Sequence, residues 1–217
     1  MSDRRTALIA GSTGLVGREL SSLVCQSPAY TALHVLGRRP GAVRHEKVSE
    51  HVVSFDALPA LPRVDDVFIA LGTTIEQAGS EQAFRRVDYD YVLGVARAAL
   101  AAGATRLGVV SALGADPGSR IFYNRVKGEM ERDVSELGYG TIVLAQPSLL
   151  LGDREALGQP ARAGERWARR LLGPVAALIP AGFRPIPART VAAALLGAVN
   201  EGRPGVQRLP SRRLFEA

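Results

Sequence analysis

Short apolar runs alternate along the chain with longer stretches whose apolar positions recur at helical spacing. Runs that are apolar at nearly every position are typical of strands buried on both faces, and amphipathic helices between them indicate a parallel sheet covered on both sides. The pattern therefore predicts an α/β fold built on a doubly wound parallel sheet. The predicted strands are about Thr6–Ala10, Ala32–Leu36, His51–Phe55, Asp66–Leu71, Arg106–Ser111 and Thr141–Ala145, and the predicted helices are about Gly14–Gln26, Ser80–Ala102 and Tyr123–Leu137.

The alternation breaks after Leu151, where prolines separate two further helical stretches, about Arg162–Leu172 and Thr190–Asn200. A proline-rich segment of about 65 residues would bury only a thin core of its own. We therefore expect a single domain over residues 1–217, in which the segment 151–217 forms a small, mostly helical lid on the substrate side. The tail after Gly202 is expected to add one edge strand.

The first strand runs into a glycine-rich turn, and the turn runs into the first helix. Glycines in such a turn let the backbone approach a pyrophosphate, and the N-terminus of the helix offers unpaired N–H groups and the positive end of its dipole. The pattern predicts a dinucleotide site, with a purely structural turn as the alternative. The residues of this candidate site are Gly11, Ser12, Thr13, Gly14, Leu15, Val16 and Gly17.

The composition narrows the classes of partner. The 217 residues carry 27 basic and 21 acidic side chains, a net charge of +6 that favours an anionic cofactor or substrate. The arginines are scattered and aromatic residues are few, unlike the clustered basic stripe of a nucleic-acid-binding protein. No apolar run is long enough to cross a bilayer, no signal-peptide pattern is present, and the lone Cys25 is expected to be a buried thiol. We expect a cytoplasmic protein with neither a nucleic-acid nor a membrane partner.

Two arginines follow the second predicted strand, at the position where NAD-specific sites usually carry an acidic residue. A guanidinium binds a 2′-phosphate bidentately, whereas a carboxylate would repel it. Arg38 and Arg39 therefore predict NADP(H) in preference to NAD(H), with a solvated arginine pair as the alternative. After the third strand, Asp56 is placed either to accept from the adenine amino group or to form a turn.

Tyr123 and Lys127 lie four residues apart on one predicted helix and share a face. In a hydride-transfer site, the ammonium of Lys127 would stabilise a phenolate and lower the pKa of Tyr123, which would then exchange a proton with a carbonyl oxygen. Ser111, at the end of the fifth strand, could hydrogen-bond the same oxygen or close a turn. The histidines lack metal-ligand spacing, so no metal site is predicted. Neither a Gly-x-Ser-x-Gly elbow nor a Walker lysine is present.

Taken in order, these motifs resemble those of the atypical short-chain dehydrogenase/reductases, in the Tat-interacting-protein-like branch, and more distantly those of NmrA-like proteins and sugar-nucleotide epimerases. The resemblance runs from about residue 6 to residue 200. The matching stretches are Gly11–Gly17, Leu71–Thr74 with Ala78 and Gly79, Phe84–Tyr91, Val110–Pro117, Phe122–Glu131 and Pro147–Arg154.

The resemblance implies a Rossmann fold with NADP(H) in its cleft and with Tyr123 and Lys127 as the active-site pair. In such a site Lys127 also holds the nicotinamide ribose. The further residues that the resemblance places along the cofactor are Leu71, Gly72 and Thr73 and, near the nicotinamide, Pro147 and Ser148.

The sequence departs from the pattern of the relatives at two places. Ala112 stands where relatives have a second serine, and Gln146-Pro147-Ser148 stands where they often have Arg-Pro-Gly.

We expect an NADPH-dependent oxidoreductase that reduces a small carbonyl compound as a monomer or homodimer. One alternative is a non-catalytic NADP(H)-binding regulator that acts through protein partners. The other is an epimerase-like enzyme, for which the short C-terminal segment leaves little protein to hold a nucleotide-sugar.

Overall fold

The computed structural model describes residues 4–39, 43–151 and 184–216. Seven strands form the central sheet, and every neighbouring pair in it is parallel. They are β1 (Arg5–Ala10), β2 (Tyr30–Gly37), β3 (Val48–Val52), β4 (Asp66–Ile69), β5 (Arg106–Val110), β6 (Thr141–Gln146) and β9 (Gly205–Pro210). The order β3-β2-β1-β4-β5-β6-β9 reverses direction between β1 and β4, which confirms the doubly wound α/β sheet. Ligands of such sheets bind outside the carboxyl ends of the strands at this reversal.

The longer helices cover the two faces of the sheet, and the connections between strands add short elements. The helices are α1 (Leu15–Gln26), α2 (Ile75–Ala78), α3 (Glu81–Arg85), α4 (Tyr91–Ala101), α5 (Phe122–Ser135), α6 (Ala188–Glu201) and α7 (Ser211–Leu214). A π-helical turn, Arg86–Asp90, joins α3 to α4, and the two-residue strands β7 (Leu150–Leu151) and β8 (Ile186–Pro187) pair with each other. None of the described helices is long and apolar enough to span a membrane.

Two apolar clusters, one on each face, hold the layers together. On one face α1 and α6 pack over the sheet around Leu20, Phe68 and Leu195. On the other face α4 and α5 pack around Ile69 and Met130. This arrangement anchors the start of α1 and the inner side of α5, so the elements that carry the predicted site are fixed by the core.

Two predicted elements differ from the structure. The third strand is Val48–Val52 rather than His51–Phe55, because this edge strand is largely exposed and therefore lacks a continuous apolar run. The helix predicted over Ser80–Ala102 is broken into α3, the π-helical turn and α4. The hydroxyl of Ser80 accepts from the Ala83 N–H and starts α3, as an N-cap residue does.

The C-terminal segment contributes a helix and a strand to the central sheet and its cover, whereas the sequence predicts mainly a lid. Helix α6 is buried against α1, and β9 extends the sheet beyond β6, which is the edge strand expected after Gly202. Residues 184–216 therefore complete the Rossmann core. The remainder of the expected lid, including the predicted helix Arg162–Leu172, lies outside the described residues.

Candidate functional site

The glycine turn is packed directly against the end of β4. Gly11 has a φ of +96°, which favours glycine, and a Cβ there would stand 2.5 Å from the Ala70 carbonyl oxygen. A Cβ at Gly17 would overlap the Gly11 carbonyl oxygen, so the first turn of α1 touches the turn that precedes it. Packing within the protein therefore accounts for glycine at both of these positions.

Packing does not account for Gly14. It is the N-cap residue of α1 with an ordinary φ of −78°, and a Cβ there would lie 3.4 Å from the nearest atom, the Gly11 carbonyl oxygen. The helix start has no side-chain cap, and the nearby Ser12 hydroxyl is buried without a hydrogen-bond partner among the described residues. Open N–H groups, an unpartnered hydroxyl and a glycine that leaves space fit the pyrophosphate of a dinucleotide. The side chains of Leu15 and Val16 lie in the core, so these two residues can offer only backbone.

The end of β2 carries the two arginines in the predicted place. Arg38 and Arg39 are both exposed, directly after the last residue of the strand. Across the adjoining strand end, Asp56 is exposed and its Oδ1 accepts a hydrogen bond of 3.0 Å from the Tyr91 hydroxyl. The Tyr91 ring stacks on Phe55 with 5.6 Å between centroids. The structure thus places a guanidinium pair after β2 and an aromatic face after β3, at the carboxyl ends of the two strands.

The turn after β4 joins the glycine turn to the predicted catalytic helix. Ala70, which contacts Gly11, is followed by Leu71 and Gly72, and a Cβ at Gly72 would lie 4.0 Å from Lys127 Nζ. The N–H of Thr73 donates a hydrogen bond of 2.9 Å to Asp88 Oδ2. The glycine turn and Lys127 are therefore separated by little more than one short turn of backbone.

Lys127 lies on the buried side of α5 and forms an ion pair with Asp88. Its Nζ is 2.8 Å from Asp88 Oδ1, and the two side chains are 4% and 1% exposed. Burial lowers the pKa of Lys127, but the Asp88 carboxylate, Tyr123 and Glu131 outweigh it, so the pKa stays above its usual value. The lysine is a charged, fixed group in the part of the chain that the structure describes.

Tyr123 lies one turn before Lys127 on the same helix and is half-buried. Its ring contacts Phe84 of α3 with 5.3 Å between centroids. The loop after β5 lies on α5 here, since the Asp116 N–H donates to the Asn124 carbonyl oxygen over 3.0 Å. The structure therefore brings Tyr123 and Lys127 together on one face, as predicted.

Ser111 is buried at the start of this loop. It is 5% exposed, and its hydroxyl has no hydrogen-bond partner among the described residues. Alternation along β5 puts it on the same side as Val109, which packs with α4 and α5. An orphaned hydroxyl on the side of α5 fits a role towards a ligand. Ala112 beside it is also buried, so the chain offers a single serine here.

At the end of β6 the predicted nicotinamide neighbours are engaged within the protein. The Leu113 N–H donates to the Pro147 carbonyl oxygen over 2.9 Å. The Ser148 hydroxyl donates to the Arg184 carbonyl oxygen and lies 3.1 Å from the Ser211 hydroxyl. These contacts connect the end of β6 to the C-terminal part of the chain. The Ser148 hydroxyl therefore already has hydrogen-bond partners within the protein.

The sequence did not predict Asp88 as the partner of Lys127, and it also did not predict two further contacts. Glu131, one turn beyond Lys127, is buried and accepts from the Gln146 side-chain amide at 2.9 and 3.0 Å. The repeat of polar residues at i and i+4 on an otherwise buried helix face could have indicated it. His34 Nδ1 and His51 Nε2 lie 2.9 Å apart on neighbouring strands, a contact that no sequence spacing reveals.

Curated relatives match most of the chain, although no protein-family model matches it. Protein HTATIP2 of Rattus norvegicus is 34% identical over 219 residues, which cover 97% of this chain and 88% of the relative. The mitochondrial protein FMP52 of Debaryomyces hansenii is 34% identical over 176 residues, 77% of each chain.

Solved structures share the fold at low sequence identity. An oxidoreductase of the short-chain dehydrogenase/reductase family from Burkholderia thailandensis matches with a TM-score of 0.73 and 17% identity, covering 97% of this chain and 93% of that one. The Bordetella bronchiseptica enzyme WbmF in complex with NAD+ matches with a TM-score of 0.68 and 17% identity, covering 98% and 77%. The chain belongs to the HTATIP2 and FMP52 family of NmrA-like atypical short-chain dehydrogenase/reductases, and it has their Rossmann fold.

Proposed function

We propose that the protein is an NADPH-dependent oxidoreductase that reduces a small carbonyl compound. The proposal is carried by the position of Lys127, which shares one face of α5 with Tyr123. The Nζ of Lys127 lies 4.0 Å from the Cβ position of Gly72, and Gly72 comes two residues after Ala70, whose backbone contacts the glycine turn. A dinucleotide held on the glycine turn would therefore extend towards the lysine and the tyrosine. The neighbours WbmF and MoeE5 are described in complex with NAD+ and with UDP-glucose and NAD, which supports a nicotinamide cofactor here.

The glycine turn and the start of α1 would hold the pyrophosphate through backbone N–H groups, since no side chain caps the start of α1. Arg38 and Arg39, both exposed at the end of β2, would bind the 2′-phosphate of the adenosine ribose. When bound, NADPH supplies the hydride for the reduction. The choice of NADPH over NADH rests on the arginine pair.

Side chains of this protein would supply the proton that the carbonyl oxygen takes up. Tyr123, half-buried at the edge of the loop after β5, would donate its hydroxyl proton to the carbonyl oxygen as general acid. Lys127 stays charged beneath it and would hold the ribose hydroxyls, and the unpartnered Ser111 hydroxyl would orient the carbonyl oxygen. Each group has the chemistry that its role requires.

The test is turnover of a carbonyl panel, followed by the loss of NADPH absorbance. We expect Tyr123→Phe to lower kcat by about 100-fold or more, because the general acid is lost, while NADPH affinity stays nearly unchanged. Tyr89→Phe is the matched control, since the Tyr89 hydroxyl bonds Asp133 away from the turn after β4. Full activity in Tyr123→Phe would overturn the catalytic role.

Two other outcomes would redirect the assignment. Tight NADPH binding with no turnover of any carbonyl, together with a co-purifying protein, would favour the regulator. Interconversion of nucleotide-sugars without net consumption of NADPH would favour an epimerase. Monomer or homodimer assembly and a cytoplasmic location are further parts of this proposal, tested by sedimentation and by imaging of the tagged protein.

A further inference from the structure

Glu131 is a buried carboxylate whose charge is compensated from the last strand of the sheet. Its side chain is 4% exposed, and its Oε2 lies 3.3 Å from the guanidinium Nε of Arg208 on β9, a side chain that is 52% exposed. The Gln146 side-chain amide donates to both carboxylate oxygens, but a neutral amide leaves the charge uncompensated. Among the described residues, Arg208 is the only cation within ion-pair distance of Glu131.

The three side chains of this cluster lie on one face of the sheet. Side chains of β6 alternate between the two faces, so Gln146 is on the same face as Leu144, which packs with α5. Arg208 is paired in register with Leu144 on the neighbouring strand, so its side chain leaves the sheet on that face too. Glu131 of α5 therefore bridges the last two strands of the sheet near their carboxyl ends.

Gln146 is the last residue of β6, and its two neighbours bind the loop that follows β5. The Ala145 carbonyl oxygen accepts the N–H of Ser111 at 2.7 Å, and the Pro147 carbonyl oxygen accepts the N–H of Leu113 at 2.9 Å. These hydrogen bonds lie on either side of Gln146, so a movement of its backbone would move both. The position of the loop that carries Ser111 therefore depends on where Gln146 lies.

We propose that Arg208 is a positioning residue that compensates the charge of Glu131 and thereby fixes the end of β6 and the loop that carries Ser111. The inference rests on the function proposed above, in which the Ser111 hydroxyl orients the carbonyl oxygen of the substrate. A buried carboxylate without a cation is strongly unfavourable, so the surrounding chain would rearrange to admit water. That rearrangement would displace Gln146 and, with it, the loop.

The first test is a double-mutant cycle on the ion pair, read by melting temperature and independent of any ligand. Arg208→Gln should lower the melting temperature by about 3–6 °C, because it leaves a buried charge unpaired. In the presence of Glu131→Gln the same change should have a much smaller effect, since no carboxylate remains. The control, Arg203→Ala, loses an exposed pair with Glu201 and should shift it by less than about 1 °C. Equal effects of Arg208→Gln in the two backgrounds would overturn the ion-pair account.

The second test asks whether the ion pair serves the reaction as well as the fold. Arg208→Gln should lower kcat for carbonyl reduction by about 10- to 100-fold, because a displaced Ser111 hydroxyl no longer orients the carbonyl oxygen. The Kd of NADPH should change by less than about 3-fold, since the glycine turn and Arg38 belong to distant strand ends. Arg208→Lys keeps the charge and should recover most of the lost kcat.

The outcomes separate positioning from stability. An unchanged kcat in Arg208→Gln with only a lowered melting temperature would make the ion pair merely structural and would overturn the proposal. Equal losses of kcat in Arg208→Gln and Arg208→Lys would also overturn it, because the charge would then be irrelevant. If Arg208→Gln does not fold, the double variant with Glu131→Gln should fold, because no unpaired ion stays buried, and its failure to fold would contradict the account.

Failure of this inference can be distinguished from failure of the proposed function. A wild-type protein that binds NADPH and reduces a carbonyl, with the same kcat in Arg208→Gln, would refute the positioning role alone. A wild-type protein that reduces no carbonyl would refute the proposed function and the positioning role together, whereas the double-mutant cycle would still decide whether Arg208 compensates Glu131.

Discussion

Gly17 and Gly11 are in direct backbone contact, so close that a Cβ on Gly17 would stand 2.7 Å from the carbonyl carbon of Gly11. The first turn of α1 is therefore packed onto the turn that leads into it. Gly14, between them, has no comparable neighbour and an unstrained backbone. Backbone packing thus requires glycine at Gly11 and Gly17, whereas at Gly14 the space beside the backbone stays open.

Alanine substitutions should separate these two reasons. Gly17→Ala should lower the free energy of unfolding by about 1–3 kcal/mol, because the new methyl group overlaps backbone that cannot move away. Gly14→Ala should change the free energy of unfolding by less than about 1 kcal/mol and yet weaken NADPH binding, because the methyl group fills space reserved for the ligand. Urea unfolding and fluorescence titration measure the two effects. Unchanged NADPH affinity in Gly14→Ala would mean that the space is not a ligand site.

Arg38→Ala should weaken NADPH binding by about 10- to 100-fold, the cost of one charge-assisted hydrogen bond of about 1.5–3 kcal/mol. NADH affinity should not change, since NADH has no 2′-phosphate to bind the exposed guanidinium. Paired dissociation constants measure the effect. Arg97→Ala, which removes an exposed arginine from α4, is the control. Equal losses for both cofactors would show that Arg38 does not read the phosphate.

Tyr30→Phe should destabilise the protein without affecting cofactor binding. The Tyr30 hydroxyl donates to Asp66 Oδ2 over 2.6 Å and lies 2.8 Å from Asn200 Oδ1, at the end of the sheet opposite the proposed site. Loss of a partner of a buried carboxylate should cost about 1–3 kcal/mol in the free energy of unfolding. Tyr91→Phe loses an exposed hydrogen bond and should cost less than about 0.5 kcal/mol. An equal loss of unfolding free energy in the two variants would contradict the claim that burial makes the Tyr30 hydrogen bond the stronger one.

The His34–His51 contact should make stability depend on pH. Burial, and secondarily the nearby His51, lower the pKa of His34 below its usual value. The unfolded chain therefore takes up a proton near pH 6.5, where the folded protein resists it, so this contribution to stability is present above that pH and is lost as the pH falls.

Urea unfolding between pH 7.5 and pH 5 measures this loss. We expect His34→Gln to flatten the decline in the free energy of unfolding, whereas His45→Gln, at an exposed position, should leave it as in the wild type. The same decline in the His34 variant would assign the effect to other groups.

The apolar runs predicted most of the sheet because its central strands are buried on both faces. The predicted position of the edge strand β3 was wrong because Val48–Val52 is largely exposed and has no continuous apolar run. The residues after it are more apolar, but they include Phe55, which packs on Tyr91 and lies outside the strand. Periodicity also gave one helix for Ser80–Ala102, since a π-helical turn displaces the pattern by a single residue.

Within the site, the sequence placed Tyr123 and Lys127 on one face because helical spacing alone requires it. It did not give the partner of Lys127. Asp88 lies 39 positions earlier in the chain, and only the π-helical turn and the packing of α5 bring the two side chains to 2.8 Å. Charge pairing between distant elements depends on the fold, so the ion pair of Lys127 with Asp88 could be identified only from the structure.

The most direct test of the central claim is a paired titration of the purified protein with NADPH and NADH, followed by fluorescence. The account predicts tight binding of NADPH and weak binding of NADH, because the glycine turn holds the pyrophosphate and Arg38 binds the 2′-phosphate. Binding of neither cofactor would contradict it, because the glycine turn would then be purely structural.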